Sequence, residues 1–114
     1  MDVKQNDRAW TLFETEAVQI PRPVHSLDQN HPNPFNPATV IDYSVPVAGH
    51  VTLDVYDIAG SLVARLVDGV QTAGAHSETW NGRDRAGSPV ASGTYFYRMT
   101  TEGRHLVRKM LLVR

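Results

Sequence analysis

From residue 39 onward apolar and polar side chains alternate with a period of two, the pattern of strands that bury one face. Over 39–45, Ile41, Tyr43 and Val45 share a face, with Val40, Asp42 and Ser44 on the other. Pro46 ends that strand because it offers no N–H to a ladder. Over 50–57, Val51, Leu53 and Val55 alternate with Thr52, Asp54 and Tyr56, the clearest strand of the chain. Asp57-Ile58-Ala59-Gly60 reads as a turn, with Gly60 supplying a positive φ that would be costly for a residue with a Cβ. The return strand is expected over 62–67 and broken by Asp68-Gly69; Ala73-Gly74 then opens another over 75–80 that ends on Trp80. Asn81-Gly82 is a strong turn signal, and Asp84, Gly87 and Pro89 extend it into a rigid polar connection.

The next strand, 93–100, begins at Gly93 and places Tyr95, Tyr97 and Met99 on one face and Thr94, Phe96 and Arg98 on the other. Glu102-Gly103 turns the chain into a last strand over 104–114, where Leu106, Arg108, Met110 and Leu112 oppose Val107, Lys109, Leu111 and Val113. No segment from 39 onward keeps a helical apolar period for more than about two turns. Six or seven short strands separated by turn signals at this spacing predict an all-β antiparallel sandwich.

Upstream the character changes. The run Asn30-His31-Pro32-Asn33-Pro34-Phe35-Asn36-Pro37 holds three prolines in six positions, so it belongs to neither a helix nor a central strand and reads as a stiff extended lead-in. Phe35 is its expected anchor, an aromatic ring covering one end of the sandwich. Residues 1–26 are mixed and polar, with an apolar island at Ala9-Trp10-Thr11-Leu12-Phe13 and a Pro21-Arg22-Pro23 stiffener. They read as a linker or the end of a preceding domain, the island being either part of that domain or an extra edge strand.

In order, "LDQNHPNPFNPATVI" at 27–41, "VYDIAG" at 55–60, "WNGRDRAG" at 80–87, "SGTYFYRM" at 92–99 and "RKMLLVR" at 108–114 resemble the type A C-terminal sorting domains of the type IX secretion system. The flagellar hook-capping protein carries a similar immunoglobulin-like domain. The resemblance covers 27–114 and implies an immunoglobulin-like sandwich of about seven strands without catalytic activity. Its implied partners are an upstream passenger domain and the outer-membrane secretion machinery. It also implies passage through the periplasm to a secreted or cell-surface location, an export signal upstream in a longer parent, and a monomer. Two positions depart from the pattern. His31 stands where the family usually has tyrosine, and Glu78 where it more often has an aliphatic residue. A buried unpaired carboxylate would cost several kcal/mol, so either the face around Glu78 is half covered or the carboxylate escapes to the rim.

Composition narrows the alternatives. A net charge of −1 over 114 residues gives no reason to expect nucleic acid or an anionic membrane as partner, and without cysteine there are no disulfides or thiolate metal sites. No apolar stretch approaches the roughly 18 residues of a membrane span. The five histidines, at 25, 31, 50, 76 and 105, include no pair spaced to share one face of a strand or helix. There is no nucleophile elbow, phosphate-cradling glycine loop or close carboxylate pair, and no cofactor is expected. Asn81, Asp84 and the carbonyls near Gly82 and Gly87 offer the hard oxygens calcium takes, but lack the dense acidic run of a dedicated loop, so a plain turn is the simpler reading.

Attention therefore falls on recognition. Four basic residues, Arg104, Arg108, Lys109 and Arg114, and no acidic ones lie between 104 and 114, a local positive strip that suits a receptor-read address. Edge-strand cations also discourage edge-to-edge aggregation, and the two readings are compatible. The structural motif is expected to rest on Pro32, Asn33, Pro34, Phe35, Asn36, Pro37, Trp80, Gly82, Gly93 and Tyr95, with Trp80 filling the core centre. Phe96 is expected in the core and Tyr56 on the outer face, the alternative being a sugar-binding platform of Tyr56, Phe96 and Trp10.

Overall fold

The computed structural model of the protein describes residues 24–114. Seven strands follow in order: β1 Ser26–Leu27, β2 Thr39–Val45, β3 Gly49–Tyr56, β4 Leu62–Gln71, β5 Gly74–Trp80, β6 Gly93–Thr101 and β7 Arg104–Leu112. They form two sheets, β1-β2-β5 and β4-β3-β6-β7, in which every neighbouring pair is antiparallel. This is the antiparallel sandwich that alternation predicts, in the immunoglobulin-like form that the resemblance implies. The island at 9–13, Trp10 with it, lies outside the described residues.

The period-two positions meet between the sheets. Ile41, Tyr43 and Val45 of β2, Val51, Leu53 and Val55 of β3, Tyr95, Tyr97 and Met99 of β6, and Met110 and Leu112 of β7 are all buried. Trp80 is buried at the end of β5, its ring 5.6 Å from Phe35 and 5.4 Å edge-on from Tyr95. The Asp57–Gly60 turn is as expected: Gly60 has φ +87° and donates its N–H to the Asp57 carbonyl. Asp57 Oδ1 accepts the N–H groups of Ala59 and Ser61.

Three expectations need correction. Asp68-Gly69 does not break β4, because Thr52 pairs with Asp68 and Val51 with Gly69. On a sheet edge the outer face is in water, so a polar side chain and a glycine leave the ladder intact. Phe96 is outside the core: it is half-buried on the outer face, paired with Tyr56 and out of phase with Tyr95 and Tyr97. Ser26, read as linker, belongs to β1, pairing with Ser44 and meeting its hydroxyl at 2.7 Å. Glu78 is half-buried on the inner face of the edge strand β5, opposite Ile41, so its face is only partly covered.

The proline-rich lead-in is a strap that closes one side of the sandwich. After β1 the chain keeps one bridge to β2, at His31 with Val40, and then lies against the free edge of β7 in the second sheet. The Phe35 N–H donates to the Leu111 carbonyl and the Val113 N–H to the Phe35 carbonyl, both at 3.0 Å, making an isolated parallel bridge of Phe35 with Leu112. Asn33 Oδ1 accepts the Leu111 N–H at 3.0 Å, and Gln29 donates to the Lys109 carbonyl. The hydroxyl of Tyr97 ties the strap from below, accepting the buried Asn30 N–H at 2.8 Å and donating to the Asp28 carbonyl at 2.6 Å. Burial pushes the pKa of that phenol up, so it stays a donor.

Candidate functional site

Each of the four cations expected to form one strip takes its place from the phase of β7. Lys109 pairs with Phe96 and lies with Val107 and Leu111 on the outer face, whereas Arg104 and Arg108 alternate onto the opposite side with Leu106 and Met110. The strip is therefore split between two faces. Arg108 spends its Nε on the Leu27 carbonyl at 2.7 Å, pinning β1. Arg114 folds back over the Asn81–Val90 connection, its Nε donating to the Val90 carbonyl and its Nη2 to the Gly82 carbonyl, each at 2.6 Å. Both arginines thus act as structural donors. The side chains of Lys109 and Arg104 are exposed and make no hydrogen bond or ion pair among the described residues.

Gly82 shows how tightly this corner is built. Its φ of +74° disfavours any side chain, and a Cβ there would sit 2.9 Å from the Pro37 carbonyl oxygen and 2.9 Å from Nη2 of Arg114. Lead-in, turn and residue 114 cross at this one point, where only a glycine fits. Around it, Trp80 donates its indole N–H to the Arg83 carbonyl at 2.9 Å and Tyr95 its hydroxyl to the Ala91 carbonyl at 2.6 Å. Gly93 opens β6. Pro32 serves through its carbonyl, which accepts from Asn30 and Thr39; Pro34, Asn36 and Pro37 are exposed. The oxygens considered for calcium serve the turn: Asn81 Oδ1 accepts the Arg83 N–H, and Asp84 Oδ1 accepts those of Ala86 and Ser88.

The outer face of β3, β6 and β7 brings together Tyr56 and Phe96, two of the three aromatics weighed in the sequence as a sugar-binding platform. A groove of about 300 Å³ is lined by Tyr56, Ile58, Phe96, Arg98 and Val107. Arg98 lies over the Tyr56 ring, 5.0 Å from its centroid, and donates to the Tyr56 hydroxyl at 2.7 Å. The nearly buried Asp54 beside them takes a two-pronged contact from Arg65, at 2.8 and 3.1 Å. Ile58 and Val107 are 77% and 57% exposed, so an apolar strip with Lys109 beside it faces solvent. Alternation predicted the outward positions; the sequence signal available for the groove was the pairing of two aromatics, Tyr56 and Phe96, at the end of adjacent strands.

A family model described as the FlgD Ig-like domain matches residues 38–104, more than half of the 114-residue chain. The chain belongs to this family. Among solved structures, FlgD from P. aeruginosa is similar at 29% identity with a TM-score of 0.50, over 65% of this chain and 60% of that one. PorZ of Porphyromonas gingivalis, described as an essential surface component of the type IX secretion system, is similar at 21% identity with a TM-score of 0.54. That similarity covers 75% of this chain and 11% of PorZ and concerns the fold. No curated protein matches. The FlgD Ig-like match covers β2 to β6 and stops at the start of β7; the strap before it and nearly all of β7 after it lie outside.

The two kinds of cation should separate in stability measurements. Arg114→Glu removes two donors from backbone carbonyls and places an anion against them, and is expected to cost about 1–3 kcal/mol. Lys109→Glu, on an exposed outer face, should stay within about 0.5 kcal/mol of wild type. Urea midpoints of the two variants check this; equal values would show that the Arg114 contacts hold nothing.

Proposed function

We propose that the chain is a non-catalytic sorting module that directs a larger passenger protein across the outer membrane through the type IX secretion system. The observation that carries this reading is the clasp. The lead-in and the last strand, the two blocks bearing the resemblance to sorting domains that lie outside the Ig-like match, are bonded to each other along Phe35, Leu111 and Val113. β7 is a strand of the sandwich itself, with Met110 and Leu112 in its core, and the strap is the addition that covers its free edge. The clasp fixes β7 and leaves Lys109, Val107 and Leu111 on an outward face, where a receptor can read shape and charge at once. PorZ, a surface component of that system, carries the same fold, and this supports placing the passenger at the cell surface. The partners are then the outer-membrane machinery and the passenger domain, with the module monomeric.

The second reading is a structural immunoglobulin-like scaffold. The family match itself and the similarity to FlgD favour it.

Fusing the chain to an exported reporter in a bacterium that has the type IX system separates them. Under the sorting reading the wild-type fusion reaches the surface, and Lys109→Glu strands it in the periplasm while the domain stays folded. A wild-type fusion that never leaves the periplasm would favour the scaffold. Surface delivery of Lys109→Glu at wild-type level would show that the receptor does not read Lys109.

A further inference from the structure

The two sides of the sandwich are finished differently. On one side the strap bonds to the edge of β7. On the other, β4 and β5 are the edge strands of their sheets, and neither has a strand partner on its outward side among the described residues. One backbone bond reaches across there, from the Arg85 N–H to the Val63 carbonyl at 3.0 Å. Beside it opens a cleft of about 570 Å³ lined by Ala64, Leu66 and Trp80 and by Arg65, Arg83 and Arg85.

The cations are held in place. Arg65 is locked by its paired contact with Asp54, and Arg83 donates through Nη1 to the Gly87 carbonyl at 2.8 Å. The guanidinium of Arg85 has no partner among the described residues, while its backbone is fixed to β4. Asp84, the one acid lining the cleft, commits Oδ1 to two N–H groups of its own turn. With Arg65 paired to Asp54, Arg83 and Arg85 stand against the single Asp84 in the lining, and two sheet edges border the cleft, the β4 edge bonded at the Val63 carbonyl.

We propose that this cleft receives an acidic peptide in extended conformation. Unpaired N–H and C=O groups at strand spacing bond a peptide main chain, as in recognition by strand addition. Guanidinium forks take glutamate or aspartate side chains through charge-assisted bonds. Charge also sets how the peptide lies. Glu78 is half-buried two positions before Trp80 on the same face of β5, so the acidic residues gather at the arginine end and a neutral or basic one lies beside Glu78. This surface is separate from the outward face of β7, and the proposal stands whether or not the domain sorts a passenger.

The test titrates the full chain with a synthetic peptide alternating glutamate and valine, followed by amide-resolved NMR. The expected result is shifts concentrated at 64–66 and 79–85, absent with the matching lysine peptide. Arg85→Glu should weaken binding by about tenfold or more, as for arginines at interface centres. Arg85→Gln, which removes the charge without adding an opposite one, should give a smaller loss and keeps the test valid if the glutamate variant unfolds. Shifts confined to the outer face of β7, or an affinity indifferent to Arg85→Gln in the folded protein, would overturn the proposal. So would a heparin tetrasaccharide that shifts these amides while the acidic peptide does not.

Discussion

Replacing Trp80 by alanine is expected to cost about 3–5 kcal/mol, the range for deleting a large core aromatic. The ring is 1% exposed, touches both Phe35 and Tyr95, and anchors the following turn through its bond to the Arg83 carbonyl. The substitution therefore opens a cavity and orphans a carbonyl at once. Domains of this size have about 5–15 kcal/mol in all, so the variant should be largely unfolded or close to it. Urea unfolding followed by far-ultraviolet circular dichroism measures the loss. A midpoint equal to wild type would mean that the ring does not hold the core together.

Phe35→Ala should be nearly as damaging, again about 3–5 kcal/mol, although Phe35 lies in a segment with no regular secondary structure. Its side chain is 2% exposed, while its backbone makes both bonds of the bridge to β7. Phe35→Leu separates the two contributions, because it keeps the backbone and most of the apolar volume and should cost under about 1.5 kcal/mol. If leucine were as harmful as alanine in thermal melts, the strap would depend on the geometry of the ring against Trp80. If neither substitution mattered, the strap would be held by its main chain alone.

These two residues also mark what could be read from the sequence. Alternation located β2 through β7, with β2 placed residue for residue, because a half-buried strand writes its pleat directly into the order of side chains. Trp80 and Phe35 were legible as anchors since large aromatics beside turn residues have few alternatives to burial. What failed was whatever depends on a neighbour far along the chain. Asp68-Gly69 resembles a break until β3 is seen beside it. The carbonyl contacts of Arg108 and Arg114 were hidden because a guanidinium on a flexible stem has many partners within reach, and only the folded positions of Leu27, Gly82 and Val90 show which it meets. The cleft between β4 and β5 belongs to two sheets and has no local signature at all.

The strap has a consequence for the order in which the domain is completed. The bond between Leu111 and Asn33 spans 78 positions, whereas the β3–β4 and β6–β7 hairpins close over short turns, so the hairpins can assemble well before the clasp. During synthesis the lead-in emerges early and has to wait for β7, with Leu27 and Phe35 uncovered in the meantime. A waiting apolar segment invites pairing with another chain. Pro32, Pro34 and Pro37 carry no N–H to offer such a partner. The residues that look like mere stiffeners in the finished domain thus keep its unfinished form from being captured by a neighbour.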